Sequence, residues 1–131
     1  MCIDAIIETY RQALLEFLQG PRRNQHVVAG PVTTYLRKST RPLNGKIEQA
    51  LDLASIDIKP AWQKKGLAGC ILDLIEAENP CSILFVESVV NKDFEAFLAR
   101  RGYTIERQDL AADFVTNAIR VKPSSRRPAL R

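Results

Sequence analysis

The chain has 131 residues, 46% of them hydrophobic and 26% charged, which fits one globular domain with one core. No apolar run approaches the roughly 20 residues that span a bilayer, and the amino terminus lacks the basic start and apolar stretch of a signal peptide. The three cysteines and one histidine form neither a disulfide framework nor a zinc motif. We therefore expect a cytoplasmic protein with no membrane partner and no metal site.

The net charge of +4 lies at the carboxyl end of the sequence. Residues 1–121 balance their acids and bases, whereas residues 122–131 carry four basic side chains and no acid. We expect one domain over 1–121 and a basic, disordered tail over 122–131. The tail could also contact nucleic acid or an acidic partner, but the neutral body makes nucleic-acid binding the weaker hypothesis.

An amphipathic helix is the first predicted element, and Gly20-Pro21 ends it. Residues 20–31 contain two Gly-Pro pairs and are predicted as a loop, so His26 is interpreted as an incidental loop residue. The apolar face of the helix consists of Ile3, Ile6, Ile7, Tyr10, Leu14, Phe17 and Leu18.

Two strands should follow, over residues 33–39 and about 46–59. The turn between them, residues 41–45, contains Asn44-Gly45, the pair that best supplies the positive φ angles of a tight hairpin.

The second of these strands has an irregular apolar pattern. Leu51 and Leu53 stand at odd positions, whereas Ile56 and Ile58 stand at even ones. In a regular strand these two pairs would point to opposite faces of the sheet. All four can face one core only if a β-bulge near residues 54–55 inserts an extra residue. A strand buried on both faces needs no bulge, and the pattern alone favours neither alternative.

The middle of the chain predicts a strand–helix–strand unit with parallel strands. Pro60 ends the first strand, residues 66–78 have helical spacing, and residues 82–86 form the apolar run typical of a strand buried on both faces. The remaining predicted elements are a helix over residues 91–101 closed by Gly102 and an antiparallel pair of strands at 103–107 and 114–121.

The heptapeptide Gln63 to Gly69 lies between this strand and this helix. Small residues such as Gly66 and Ala68 leave backbone N–H groups accessible to an anion, and the helix start adds further N–H groups and a positive dipole end. The segment matches neither a Walker loop nor the G-x-G-x-x-G motif. Taken alone, it is best interpreted as a helix start with solvated lysines.

In context the sequence resembles the GNAT acyltransferases. Residues 56–68, Ile-Asp-Ile-Lys-Pro-Ala-Trp-Gln-Lys-Lys-Gly-Leu-Ala, are similar to the family's acetyl-CoA motif of strand, proline, Gln/Arg-x-x-Gly-x-Gly/Ala and helix. Residues 82–91 and 94–103 resemble its next strand with a recurring Asn and its closing Gly-aromatic step. The likeness covers about residues 50–105. The segment Glu-Ser-Val-Val-Asn at 87–91 also resembles small acetyltransferase-like proteins of tailed bacteriophages. A phage-encoded protein would act in the cytoplasm of its host.

The resemblance implies a GNAT-type α/β fold, a mixed central sheet with splayed parallel strands flanked by helices. The pantetheine arm of acetyl-CoA would lie between the strands at 53–58 and 82–88, and its pyrophosphate on the turn at 63–68. The residues that it assigns to the cofactor are Ile56, Asp57, Ile58, Gln63, Lys64, Lys65, Gly66, Leu67, Ala68, Gly69 and Asn91.

Several positions bear on catalysis. Many family members have a Tyr four residues before the closing Gly that protonates the leaving thiolate; here that position is Leu98, and Tyr103 is interpreted as a packing residue.

Glu87 follows a buried run where the strand reaches the cleft, which suits a general base that deprotonates an amine. A solvated or helix-capping carboxylate is the alternative. Weaker candidates nearby are Asp52 and Glu48 as bases and Ser88 as a residue that positions the acceptor.

The resemblance thus implies an acetyl-CoA-dependent N-acyltransferase, in which a primary amine attacks the thioester directly and backbone donors polarise its carbonyl. The alternative is a GNAT-fold binding or regulatory module acting on a partner protein, which Leu98 and the short first half of the chain favour. The acceptor, a small molecule or a protein, should be selected by loops at 20–31 and 108–112. The sequence is compatible with a homodimer.

Overall fold

The computed structural model describes residues 2–89, 91–110 and 113–122. These residues fold into three α-helices, one short 3-10 helix (Pro60–Trp62) and six strands, and all six strands belong to one sheet. The helices are α1 (Ile3–Gln19), α2 (Leu67–Glu78) and α3 (Lys92–Arg100). The strands are β1 (Asn24–Ala29), β2 (Val32–Leu43), β3 (Lys46–Ile58), β4 (Ile83–Val86), β5 (Thr104–Leu110) and β6 (Asp113–Val121).

The sheet is mixed, with the strand order β1-β2-β3-β4-β6-β5. β3 and β4 are parallel and are joined through α2, as the strand–helix–strand pattern predicts. The other four pairings are antiparallel. The predicted mixed α/β fold is confirmed. Within the described part of the chain, no helix is long and apolar enough to cross a bilayer.

The main core lies on one face of the sheet, and all three helices contribute buried side chains to it. The opposite face, which we call the open face, carries a small cluster of Ala50, Ile83 and Phe85, to which no described helix contributes. The side chains that α1 buries in the main core are Ile6, Tyr10, Leu14 and Phe17, all of them on the predicted apolar face.

Of the two alternatives for β3, the register with β2 shows the bulge. Leu36 lies opposite Leu53, but the preceding Tyr35 lies opposite Ser55, so Ala54 has no partner and is the inserted residue. Before the bulge Leu53 is buried in the main core, and after it Ile56 packs against that same core. The extra residue therefore lets the apolar side chains before and after the bulge face the same core.

The predicted loop at 20–31 is wrong, because it contains strand β1. Val27 and Ala29 alternate into the core, and α1 packs on this strand; the two Gly-Pro pairs only flank it. His26 is consequently a strand residue, and its ring centroid lies 4.6 Å from that of Tyr35 on β2.

The hairpin at Asn44-Gly45 is confirmed, with φ angles of 53° and 80° that fit a two-residue type I′ turn. β2 continues to the turn at Leu43 and is longer than the predicted 33–39, whereas β3 keeps close to the predicted 46–59. The predicted loop at 108–112 is wrong in its first part, since β5 continues to Leu110; residues 111–112 lie outside the described ones.

The predicted tail also lies outside the described residues, except for Lys122. Its backbone N–H donates to the carbonyl oxygen of Ser82 at 2.8 Å, and its ammonium donates to the carbonyl oxygen of Asn79. Lys122 therefore continues the folded body.

Candidate functional site

A cleft opens where β3 and β4 separate. The two strands pair only from Ala50 to Leu53 of β3, after which β3 continues to Ile58 without β4 as a neighbour. The chain after β4 turns away at Ser88, whose φ of 53° is a left-handed conformation uncommon for a residue with a side chain. The result is a cleft of about 390 Å³. It is lined by Leu53, Ala54, Ser55, Ile56, Ile58, Gln63, Ala68, Val86, Glu87, Ser88, Val89, Asn91 and Phe94.

Backbone contacts hold the diverging segment in place. The N–H of Ser88 donates to the side-chain oxygen of Asn117 at 3.0 Å, and the N–H of Val89 donates to the carbonyl oxygen of Thr116 at 2.7 Å. β3 beyond its bulge pairs with β2 along one edge, so its other edge faces the cleft. An extended ligand can hydrogen-bond to that edge as an additional strand does.

One end of the cleft is closed by the turn into α2. Lys64 and Gly66 both have positive φ, 62° and 78°, and α2 begins at Leu67 with its first hydrogen bond from Cys70 N–H to Gly66 O at 3.2 Å. The N–H groups of residues 67–69 precede that ladder and are available to an anion. A Cβ on Gly66 would meet no atom within 4 Å, so glycine is required there by its backbone angle and not by crowding.

The structure brings together some of the predicted cofactor residues and separates others. The predicted residues that line the cleft are Ile56, Ile58, Gln63, Ala68 and Asn91. Lys64 and Lys65 are exposed on the adjoining turn, and Asp57 is exposed on β3. Leu67 is buried in the core, and Gly69 faces α3, where an added Cβ would lie 3.6 Å from the Phe97 ring.

Asn91 has a structural role that the sequence did not predict. Its side-chain oxygen accepts hydrogen bonds from the N–H groups of Asp93 and Phe94 at 2.8 and 3.0 Å, and so caps α3. The oxygen is occupied by the helix, so a ligand in the cleft would meet the amide nitrogen of Asn91.

On the open face, beside the cleft, lie four charged residues that we call the charged cluster: Arg37, Arg41, Asp52 and Glu87. Glu87 pairs with Arg37 and lies 3.5 Å from a guanidinium nitrogen of Arg41. The solvated alternative for Glu87 holds only in part, because the carboxylate is 25% exposed but paired with arginine. The hydrogen bond to Glu87 raises the pKa of Arg37, so this guanidinium stays charged.

Asp52 organises the charged cluster. It is 1% exposed, and its oxygens accept from Arg37 Nε at 3.3 Å, Arg41 Nη2 at 2.9 Å and Ser39 Oγ at 2.8 Å. A buried carboxylate is costly unless it is paired and hydrogen-bonded, and these donors meet that requirement. Asp52 therefore holds both arginines in position through these hydrogen bonds, and it does not line the cleft.

The other weak candidates are placed differently. Glu48 accepts a hydrogen bond from the Ser82 hydroxyl at 3.2 Å and does not line the cleft, whereas Ser88 is exposed in it. Among the described residues, no group of three or more His, Cys, Asp or Glu side chains could hold a metal ion.

Leu98 and Tyr103 both lie in the core. Leu98 is fully buried, and the Tyr103 hydroxyl donates to Glu76 Oε2 at 2.7 Å on α2. Burial raises the pKa of Tyr103. The interpretation of Tyr103 as a packing residue is confirmed, and neither residue lines the cleft.

Known protein structures share this fold at low sequence identity. An acetyltransferase from Thermus thermophilus matches with a TM-score of 0.54 and 16% identity over 92% of this chain and 90% of its own. The NatB acetyltransferase complex bound to a bisubstrate inhibitor matches with a TM-score of 0.54 and 15% identity, over 91% and 77%. The NatC complex bound to Gag peptide and CoA matches with a TM-score of 0.47 and 13% identity over 68% of this chain, which spans 60% of the matched chain.

No family model matches the sequence, and a search of curated proteins finds no match. The first two of these structures establish the class of fold: the chain has the α/β fold of GNAT acetyltransferases. At such identities the likeness shows the fold alone, and any activity must be argued from the cleft and the charged cluster.

Proposed function

We propose that the protein is an acetyl-CoA-dependent N-acyltransferase that transfers an acetyl group to a primary amine. The observation that carries this proposal is the cleft between β3 and β4. One of its walls is an unpaired strand edge, and one end reaches the start of α2. A pantetheine arm needs backbone partners along its amides, and a pyrophosphate needs convergent N–H groups.

In this arrangement the arm lies along Ile56 and Ile58, and the pyrophosphate rests on the turn from Gln63 to Ala68. Lys64 and Lys65 are exposed at that turn and complement the phosphate charge. The Gln63 side chain donates to the carbonyl oxygen of Ile58 at 2.8 Å, which ties the turn to the end of β3.

The acetyl group then lies near Glu87, where the cleft meets the charged cluster. The amine nitrogen attacks the thioester carbonyl, so that a C–N bond forms and the C–S bond breaks. Glu87 takes a proton from the nitrogen, and the departing thiolate gains a proton from solvent, because Leu98 has no proton to donate. Glu87 can act in this way once the acceptor has separated it from Arg37.

A second candidate function is a binding or regulatory module that retains the cofactor but not the chemistry. Two observations favour it: Leu98 stands where many GNAT enzymes have their acid, and the base candidate Glu87 is already paired with two arginines. For either candidate function we expect a cytoplasmic protein. That the protein is of the phage type, and that it forms a homodimer, both stay predictions.

Calorimetric titration of the full chain with acetyl-CoA tests the proposal first. We expect saturable one-site binding that CoA competes for, and no binding would overturn both candidate functions. Release of free thiol in the presence of a panel of primary amines then separates the enzyme from the module, because the module binds acetyl-CoA without accelerating thiol release over the rate in buffer.

A further inference from the structure

The charged cluster continues into a groove on the open face of the sheet. This groove has a volume of about 480 Å³ and begins at Arg41, whose guanidinium carbon lies 3.5 Å from the centre of the Phe85 ring. Its floor beyond Phe85 is apolar, with Ile83 and Ile119 beside Leu43. We call it the sheet groove. It is separate from the cleft between β3 and β4, and the charged cluster lies between the two.

The charges of the cluster restrict what can bind there. Two guanidinium groups face two carboxylates, so the cluster is neutral, and its arginine side chains are only 30–35% exposed. A cationic amine that reaches Glu87 must displace Arg37 and leave that guanidinium with Asp52 as its remaining partner, and the loss of one ion pair is costly for a partly buried charge. A ligand that also carries a carboxylate restores the lost pair, because a guanidinium binds a carboxylate through two parallel N–H groups.

We infer that the acceptor is a small zwitterionic amine with an apolar side group, that is, a hydrophobic amino acid. Its amine lies against Glu87, its carboxylate on Arg37 and Arg41, and its side group in the sheet groove beside Phe85. This inference rests on the proposed acyl transfer and names its acceptor. It also explains how Glu87 becomes available as a base, since the acceptor's carboxylate draws the arginines away from it.

A matched pair of probes tests the role of the carboxylate. L-Leucine and L-leucinamide differ only in that group, and the amide has the more easily deprotonated amine, so its intrinsic reactivity is the higher one. Titrated into the full chain saturated with CoA, L-leucine should bind at least tenfold more tightly than L-leucinamide or spermidine. With acetyl-CoA, thiol release should show the same order in kcat/KM.

Two variants locate the contacts. Arg37→Gln should weaken L-leucine binding about tenfold, because the carboxylate contact is lost, and should not weaken L-leucinamide binding, because its amine no longer has to displace Arg37 from Glu87. Phe85→Ala should remove the preference for L-leucine over glycine, which has no side group for the sheet groove. Arg11→Gln is the matched control, since Arg11 pairs with Glu78 on the helical side of the molecule. Circular dichroism spectra establish that each variant is folded.

The outcomes separate this inference from the proposed function. A chain that binds no acetyl-CoA overturns the proposed function. A chain that binds CoA but takes L-leucinamide or spermidine as well as L-leucine, or binds no L-leucine, overturns the acceptor class alone. The binding measurement decides the question even if turnover is absent, because it needs only the CoA-saturated protein.

Discussion

The cleft and the charged cluster meet at Glu87, but they are built from different parts of the chain. The cleft consists of a strand edge, a turn and apolar side chains that lie close together in sequence, between residues 53 and 94. The cluster consists of four side chains, and its arginines on β2 lie 46 and 50 positions before Glu87. A site made from backbone depends on local conformation, whereas a site made from side chains depends on strand pairing across the fold.

This comparison predicts that the cluster stabilises the fold while the cleft does not. Asp52→Asn removes the buried charge that holds both arginines, and should lower the free energy of unfolding by about 3 kcal/mol, the low end for a broken buried pair because the arginines stay partly hydrated. Urea denaturation followed by circular dichroism measures this loss. An unchanged midpoint would show that the cluster contributes only to function. Asp57→Asn, on the exposed part of the same strand, is the control.

Glu87 should matter to the reaction and not to the cofactor. Glu87→Gln keeps the shape of the side chain but removes the proton acceptor, so turnover should fall by about two orders of magnitude with acetyl-CoA affinity retained. The loss should shrink at high pH, where the amine loses its proton without help. Steady-state rates at two pH values, together with calorimetry, measure both effects. Unchanged turnover would place the base elsewhere, and a variant that does not fold would make Glu87 a structural carboxylate.

Gly66 should show the opposite pattern. Gly66→Val places a branched side chain where the phosphate approaches the turn and strains a backbone with φ of 78°, so acetyl-CoA binding should weaken tenfold or more, about 1.4 kcal/mol. L-Leucine binding in the presence of saturating CoA should be unaffected. Gly69→Ala controls for helix α2, because its added methyl group meets Phe97 at an ordinary contact distance of 3.6 Å. An unchanged dissociation constant in a folded Gly66→Val protein would contradict the assignment of the turn.

Removal of residues 123–131 should change neither site. No apolar pattern ties this segment to the body, so the melting temperature and the acetyl-CoA affinity should match those of the full chain, which differential scanning fluorimetry and calorimetry measure. A melting temperature several degrees lower would mean that the tail docks on the body.

The sequence predicted the cleft better than the cluster, for a physical reason. The parity change between Leu53 and Ile56 and the small residues of the turn are local signals: they located the strand and the helix start, and they raised the bulge as one of two alternatives. Strand β1 was missed because it is short and flanked by Gly-Pro pairs, so its alternation is weak beside the turn signals.

The same reasoning from the sequence could have placed Arg37 of the cluster beside Asp52. A two-residue turn at Asn44-Gly45 places Leu43 opposite Lys46, and counting outward from that pair places Arg37 opposite Asp52, as the register shows. The remaining contact, from Arg37 to Glu87, requires knowing that β4 lies beside β3 with Phe85 opposite Asp52. That alignment comes from packing and not from any local pattern.

The bulge at Ala54 makes the length of this segment more important than its composition. Many side chains would fit at position 54, which is only half-buried, but deletion of that one residue would return β3 to regular alternation. Ile56 and Ile58 would stay on the core side with their β2 partners unchanged, because Ala54 is the residue without a partner, but the bend that the bulge puts into β3 beside the cleft would be lost. Among related chains, substitutions between Leu53 and Ile56 should therefore be common and gaps absent.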